Sequence, residues 1–194
     1  MSAESIEKCV EQAILGGCTV VQLREKIALS REFYQTALRV REVTTNLGVP
    51  LIINDRADIA LAVDADGVHI GQDDLPYEAA RRIVGQNKIV GVSANNLTEA
   101  ITAADIGVDY IGVGAMFATG TKSDANLISI DELRRIRRAI KIPMVAIGGI
   151  NKNNVSLLKD EGIDGIAVVS AIIAEQDTAG AARELKSLFQ GGNL

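Results

Sequence analysis

Seven short apolar runs, each followed by a stretch of helical spacing, constrain this chain more than any other feature. The runs are TVVQL (19–23), PLIIN (50–54), DGVHI (66–70), KIVGV (88–92), DYIGVG (109–114), IPMVAI (142–147) and DGIAVV (164–169). Helical spacing covers 31–47, 56–63, 76–85, 97–106, 130–140, 151–161 and 177–189. Pro76 suits a first helical turn, and Gly48, Gly85, Gly107 and Gly162 suit helix ends. Such alternation makes a parallel sheet, either open and doubly wound or closed into a barrel. Val, Ile, Leu and Ala must fill the core, because 47% of residues are hydrophobic, only 3% are aromatic and Trp is absent. That composition suits strands covered by helices.

Polar residues at the strand ends choose between the two architectures. Gln22, Arg24 and Lys26 follow the first run; Asn54 and Asp55 the second; Gln72, Asp73 and Asp74 the third; Ser93 the fourth. Thr119, Gly120, Thr121 and Lys122 follow the fifth, Gly148 and Gly149 the sixth, and Ser170 the last. A barrel gathers every C-terminal strand end at one mouth, whereas an open sheet concentrates its ligand at a switch point. The expected fold is therefore α/β, a (β/α)8 TIM barrel forming a single domain over residues 1–194. Its first element, residues 4–16, is a helix with no strand before it, so the barrel reads as lacking its first strand, with seven strands and eight helices. The 194 residues also fall short of the ~250 typical of the complete fold. Either a strand lies upstream of Met1 or another arrangement fills the gap, since an open gap leaves two strand edges unpaired.

Charge and cysteine content exclude several function classes. The formal net charge of −5 comes without a long basic run, which argues against nucleic acid or an anionic membrane as partner. Cys9 and Cys18 lack metal-ligand spacing and read as buried or free thiols of a reducing compartment. The start, MSAESIEKCVEQAILGG, has acidic residues and helical periodicity rather than the features of a signal peptide or membrane span. A cytoplasmic location is expected, and a homo-oligomer is compatible with the sequence.

The stretch GAMFATGTKSDAN (114–126) leaves a strand and turns abruptly polar. It is not the nucleotide P-loop G-x-x-x-x-G-K-[ST], because five residues separate Gly114 from Gly120 and Thr121 intervenes before Lys122. Hydroxyls, flexible backbone and one cation still suit a phosphorylated ligand, although a solvated loop has the same composition. Asp55, Asp73 and Asp74 end adjoining strands, so Asp55 and one of the pair can share a cation; oxygen ligands without clustered Cys or His favour Mg²⁺. Each Asp taken alone is equally a helix cap or turn residue. Arg24 and Lys26 alternate in step with Gln22 and face such a metal as a receptor for diphosphate, unless they pair within REK. AIGGI (146–150) and VVSAI (168–172) mark a second anion site, since barrels often hold a phosphate on the loops after their last two strands. His69, the only histidine, reads as a semi-buried strand residue rather than a base.

VQLREK, LIINDRADIALAVDADGVHIGQDD, IVGVSANN, DYIGVGAMFATGTKSDA, VAIGGI and DGIAVVSAI, in this order, closely resemble the thiamin phosphate synthase (thiamine-phosphate pyrophosphorylase) family, from about residue 4 to about residue 189. The resemblance implies a transferase on a (β/α)8 barrel, which joins a pyrimidine methyl diphosphate to a thiazole phosphate and releases pyrophosphate with Mg²⁺. It implies that Gln22, Leu23, Arg24, Glu25, Lys26, Asn54, Ser93 and Lys122 contact the pyrimidine diphosphate. Asp55 and Asp74 would bind Mg²⁺, with Asp73 a neighbour. Thr119, Gly120, Thr121, Gly149, Val169 and Ser170 would hold the thiazole phosphate. Arg24, Lys26, Lys122 and Ser93 would carry the chemistry, a dissociative substitution in which no general base takes part.

Ala115 and Ala118 stand where the family usually has Pro around the aromatic of its GPxFPT motif, which predicts a less constrained loop. Asn95 replaces the His common after GVSA, and the apolar strand ahead of the first helix is missing. Two other readings stay open at this level: a thiazole tautomerase, which needs no diphosphate and Mg²⁺ site, and a non-catalytic phosphate-binding relative.

Overall fold

The computed structural model describes residues 5–118 and 127–191. In chain order the elements are α1 (Ile6–Leu15), β1 (Val21–Leu23), α2 (Ser30–Asn46), β2 (Leu51–Asn54), α3 (Ala57–Ala62), β3 (Gly67–Ile70), α4 (Tyr77–Val84) and β4 (Ile89–Ala94). They continue with α5 (Leu97–Asp105), β5 (Tyr110–Val113), α6 (Ile130–Ala139), β6 (Met144–Ile147), a 3-10 turn (Val155–Leu158), β7 (Gly165–Ala167), α7 (Ser170–Ile173) and α8 (Thr178–Gln190). Two compact units divide the chain: residues 1–90 with 176–183, and residues 91–175 with 184–194.

Every apolar run anticipated from the sequence contains a strand. In the first unit β1 pairs with β2 and β2 with β3, all parallel, with Gln22 opposite Ile52 and Asn54 opposite His69. Both faces of β2 and β3 are buried throughout, as expected of parallel strands sheathed by helices. Helix α2 supplies part of that sheath: Phe33, Ala37, Val40 and Thr44 are buried at spacings of four, three and four, one stripe of a helix of 3.6 residues per turn. In the second unit β4 pairs with β5, β5 with β6, and β6 with β7, again all parallel. Leu133 and Ile136 of α6 are buried, while Ser129 caps that helix by accepting the Glu132 N–H at 3.1 Å. Among the described residues β1 and β7 each have one paired neighbour, and neither is buried along its full length.

One device recurs at the entry to the strands. Asp66, just before β3, donates its N–H to the Leu51 carbonyl at 2.9 Å, and its carboxylate accepts the Leu51 N–H at 2.7 Å. The same carboxylate accepts from Arg41 of α2 at 2.6 Å. Asp164, just before β7, repeats the arrangement with the Met144 carbonyl at 2.9 Å, the Met144 N–H at 2.9 Å and Arg137 of α6 at 3.2 Å. Each Asp thus supplies the acceptor that the first residue of the preceding strand lacks and pins it to a helix arginine. The Asp-Gly that opens two of the apolar runs is the sequence trace of this clamp.

The helix expected over 151–161 is instead a 3-10 turn over Val155–Leu158. Only Val155 and Leu158 are buried there, a spacing of three that matches 3.0 residues per turn. The last apolar run ends as strand at Ala167, and its tail turns into the short α7. Cys9 and Cys18 are both free thiols. No helix among the described residues is long and apolar enough to cross a membrane.

Candidate active site

In the first unit the loops after β1, β2 and β3 bring three charges together. Lys26, beyond β1, forms an ion pair with Asp55, the residue after β2. Asp55 adopts a left-handed backbone at φ 64°, a conformation Asp tolerates better than most side chains, while its N–H donates to the His69 carbonyl of β3 at 2.7 Å. Its carboxyl interacts with that of Asp74, beyond β3. Asp74 Oδ2 also accepts the Gly71 N–H at 2.8 Å, closing a turn in which a Cβ on Gly71 would lie 2.9 Å from the same oxygen.

Burial, and then the hydrogen bond with Asp74, push the Asp55 carboxyl above the ordinary carboxylate range, against the pull of Lys26. Asp74 moves the opposite way: burial opposes the shift, but the hydrogen bond from Asp55, the Gly71 N–H and the positive charge of Lys26 hold it low. Two neighbouring carboxylates resist simultaneous ionisation, and a cation placed between them would favour the charged form of both. The donors are all oxygen, and the described residues contain no cluster of three or more His, Cys, Asp or Glu. That set fits a hard cation that takes one or two carboxylates and keeps its remaining positions for water and phosphate, as Mg²⁺ does.

Around these charges, Gln22 is exposed at β1 and Asn54 is buried at the end of β2. Leu23 is 5% exposed, so its side chain belongs to the core. Arg24 is exposed. Glu25 Oε1 accepts the N–H groups of Ile27 at 2.9 Å and Ala28 at 3.4 Å, which hold its carboxyl below the ordinary range. Glu25 therefore shapes the loop that carries Arg24 and Lys26, and Lys26 pairs outside REK. Asp73 is exposed beside Asp74, and His69 is buried in β3.

In the second unit Ser93 lies in β4, half-buried. Asn95, after that strand, donates both its N–H (2.8 Å) and its Nδ2 (2.9 Å) to Glu99 Oε2 of α5, so here the residue that replaces the family's His serves the start of a helix. Beyond β5, Met116 N donates to the Ile147 carbonyl and Phe117 N to the Gly148 carbonyl, each at 3.0 Å, which lays residues 115–118 alongside the end of β6. Gly148 and Gly149 have φ of 97° and 65°. A Cβ on Gly149 would stand 2.5 Å from the carbonyl oxygens of Phe117 and Ala118, so only glycine admits this approach. Ala115, one of the two residues in place of Pro, is buried beneath Gly148. Val169 is half exposed and Ser170 opens α7. Thr119, Gly120, Thr121 and Lys122 lie outside the described residues.

The sequence reading missed Asn151 and Asn154, whose side chains both contact the Gly149 carbonyl. Their spacing of three, one residue past the Gly148–Gly149 pair, was the available signal.

Residues 1–172 match the family model described as thiamine monophosphate synthase. The chain belongs to this family. It is 57% identical over 189 residues to the thiamine-phosphate synthase of Clostridium beijerinckii, covering 97% of this chain and 90% of that protein. It is 58% identical over the same length, with the same coverage, to the thiamine-phosphate synthase of Ruminiclostridium cellulolyticum. The solved thiamine phosphate pyrophosphorylase from Pyrococcus furiosus superposes with a TM-score of 0.90 at 41% identity, covering 97% of this chain and 91% of that one. The fold is the α/β, TIM-barrel type shared with that enzyme, here with seven parallel strands among the described residues. Membership of the thiamine monophosphate synthase family makes the chain a transferase of the thiamine-phosphate synthase kind.

Proposed function

We propose that the chain, as one catalytic domain over residues 1–194, couples 4-amino-2-methyl-5-pyrimidinylmethyl diphosphate to thiazole phosphate in the cytoplasm, giving thiamin phosphate and pyrophosphate. The observation that carries this reading is the meeting of Lys26, Asp55 and Asp74 beyond three successive strands. A tautomerase has no use for paired carboxylates beside a cation, whereas departure of a diphosphate does.

Gln22, Asn54 and Ser93 orient the pyrimidine diphosphate, together with the backbone positions of Leu23 at the end of β1 and Glu25 in the loop after it, and Arg24, Lys26 and Lys122 meet its phosphates. The bond between the methylene carbon and the bridging diphosphate oxygen breaks, and its electron pair leaves on pyrophosphate. Fixed cations aimed at that growing charge lower the barrier without reorganising during the step. The aminopyrimidine ring stabilises the methylene cation left behind. The thiazole nitrogen then donates its lone pair to that carbon; the new C–N bond leaves the thiazolium positive, so no proton has to be removed. Gly149, Val169 and Ser170, with Thr119, Gly120 and Thr121, hold the thiazole phosphate meanwhile. Asp55 and Asp74 would hold Mg²⁺, which when bound neutralises charge on the diphosphate.

Purified protein given both phosphorylated substrates and Mg²⁺ should form thiamin phosphate and pyrophosphate in equal amounts, and EDTA should stop it. Isomerisation of the thiazole without coupling, or phosphate binding without turnover, overturns the reading.

A further inference from the structure

The Gly148–Gly149 turn contains two peptide planes that glycine leaves free to flip, yet both are held. The Gly148 carbonyl accepts the Phe117 N–H at 3.0 Å. The Gly149 carbonyl accepts two side-chain amides, Asn154 Nδ2 at 2.9 Å and Asn151 Nδ2 at 3.1 Å, which fill both of its lone pairs. The amides are themselves fixed: Asn154 Oδ1 accepts the Asn151 N–H at 2.8 Å, and Asn151 Oδ1 accepts the Asn153 N–H at 2.9 Å.

In a trans peptide the N–H points opposite the C=O. Anchoring the two carbonyls therefore turns the N–H groups of Gly149 and Ile150 to the other side, where neither finds an acceptor among the described residues. Successive N–H groups presented by a turn with positive φ are a recurrent receptor for phosphate oxygens. A flipped peptide would present a carbonyl oxygen to the anion instead.

We infer that Asn154, assisted by Asn151, is a positioning residue for the phosphate of the thiazole substrate: the two amides hold the Gly149 carbonyl away so that the Gly149 and Ile150 N–H groups stay directed at that phosphate. The inference rests on the assignment of Gly149 to the thiazole phosphate site. Neither asparagine touches the reacting atoms. Their effect is on affinity for one substrate.

Asn154→Asp separates this role from a purely structural one, because a carboxylate still accepts the Asn151 N–H but cannot donate to Gly149 and repels its carbonyl. Asn151→Ala, which removes one of the two donors, is the second variant should Asn154→Asp fail to fold. Steady-state kinetics should show KM for thiazole phosphate raised about tenfold, the worth of one positioned hydrogen bond, with KM for the pyrimidine diphosphate and kcat at saturation within about twofold of wild type. Independently of turnover, titration of wild type with inorganic phosphate should shift the Gly149 and Ile150 amide resonances, and Asn154→Asp should blunt that response. An equal rise in both KM values, or an undiminished amide response in the variants, overturns the inference. Absence of any response in wild type instead removes the phosphate site on which it stands.

Discussion

Lys26 forms an ion pair with Asp55, 29 residues further along the chain, while the same Asp55 carboxyl interacts with that of Asp74. The ammonium thus occupies the attraction that a metal ion would otherwise satisfy, and on the proposed reading a metal and Lys26 compete for Asp55. On the same reading, diphosphate relieves the competition by taking Lys26 for itself. Binding of metal and of diphosphate should therefore be coupled, each raising the affinity of the other by the same factor. Electron paramagnetic resonance with Mn²⁺ should show tighter metal binding when inorganic pyrophosphate is added. Lys26→Ala should bind Mn²⁺ about fivefold more tightly without pyrophosphate, in keeping with a partly exposed ion pair worth about 1 kcal/mol. Weaker metal binding by that variant would show that Lys26 does not compete.

Asp74 accepts the Gly71 N–H and, on the proposed reading, holds a metal ion, two roles that substitution can separate. Asn at this position retains an oxygen for the Gly71 N–H but lacks the charge, whereas Ala lacks both. Asp74→Asn should keep the wild-type melting temperature while losing Mg²⁺-dependent turnover by about 10²-fold or more. Asp74→Ala should in addition lose about 1 kcal/mol of stability to the orphaned N–H. Urea denaturation and product assays, run in parallel on both variants, measure the two effects.

Lys122 is assigned the charge on the departing pyrophosphate. Lys122→Ala should raise the barrier by about 3 kcal/mol, which is about 10²-fold in kcat, with a much smaller change in KM for the thiazole phosphate. A single-turnover assay checks that the loss lies in the chemical step.

The Asp clamp at the strand entries predicts matching losses in the two units. Asp66→Ala leaves the Leu51 N–H without its carboxylate acceptor, and Asp164→Ala does the same to Met144. Each should cost about 1–3 kcal/mol, and the Asn variants less, because the amide oxygen still accepts. Chemical denaturation of the four variants compares them directly.

Glu7 of α1 is ion-paired with Arg39 of α2, and the hydrogen bond from that guanidinium lowers its pKa from 4.5 to about 2. A carboxyl depressed in the folded state adds stability that is complete above its unfolded value and is lost as the pH falls through the folded one. The contribution should thus be present above pH 4.5 and disappear on acidification towards pH 2. Thermal melts of wild type and Glu7→Gln across this range should converge at the acid end. They should also converge in concentrated salt, because the pair is exposed to solvent.

The alternation of strands and helices was legible in the sequence because burial leaves a period along the chain, read residue by residue without knowledge of any partner. Runs such as PLIIN and IPMVAI became strands for that reason, and the helical spacing over 31–47 became α2. Short elements were less legible. Two buried residues over 155–158 leave no period long enough to tell a 3-10 turn from a helix.

Sequence alone also established which chemical groups follow each strand, since residue type and order are local properties, and family membership is written in the same order. Tertiary structure decided which of those groups meet. Only folding set Lys26 against Asp55 and Asp55 against Asp74, converted Glu25 from a charge in REK into a brace for its loop, and turned two asparagines onto one carbonyl. The physical reason is range: an apolar period is paid out by each segment's own burial, whereas a hydrogen bond between distant side chains depends on strand register and turn geometry to within a few tenths of an ångström.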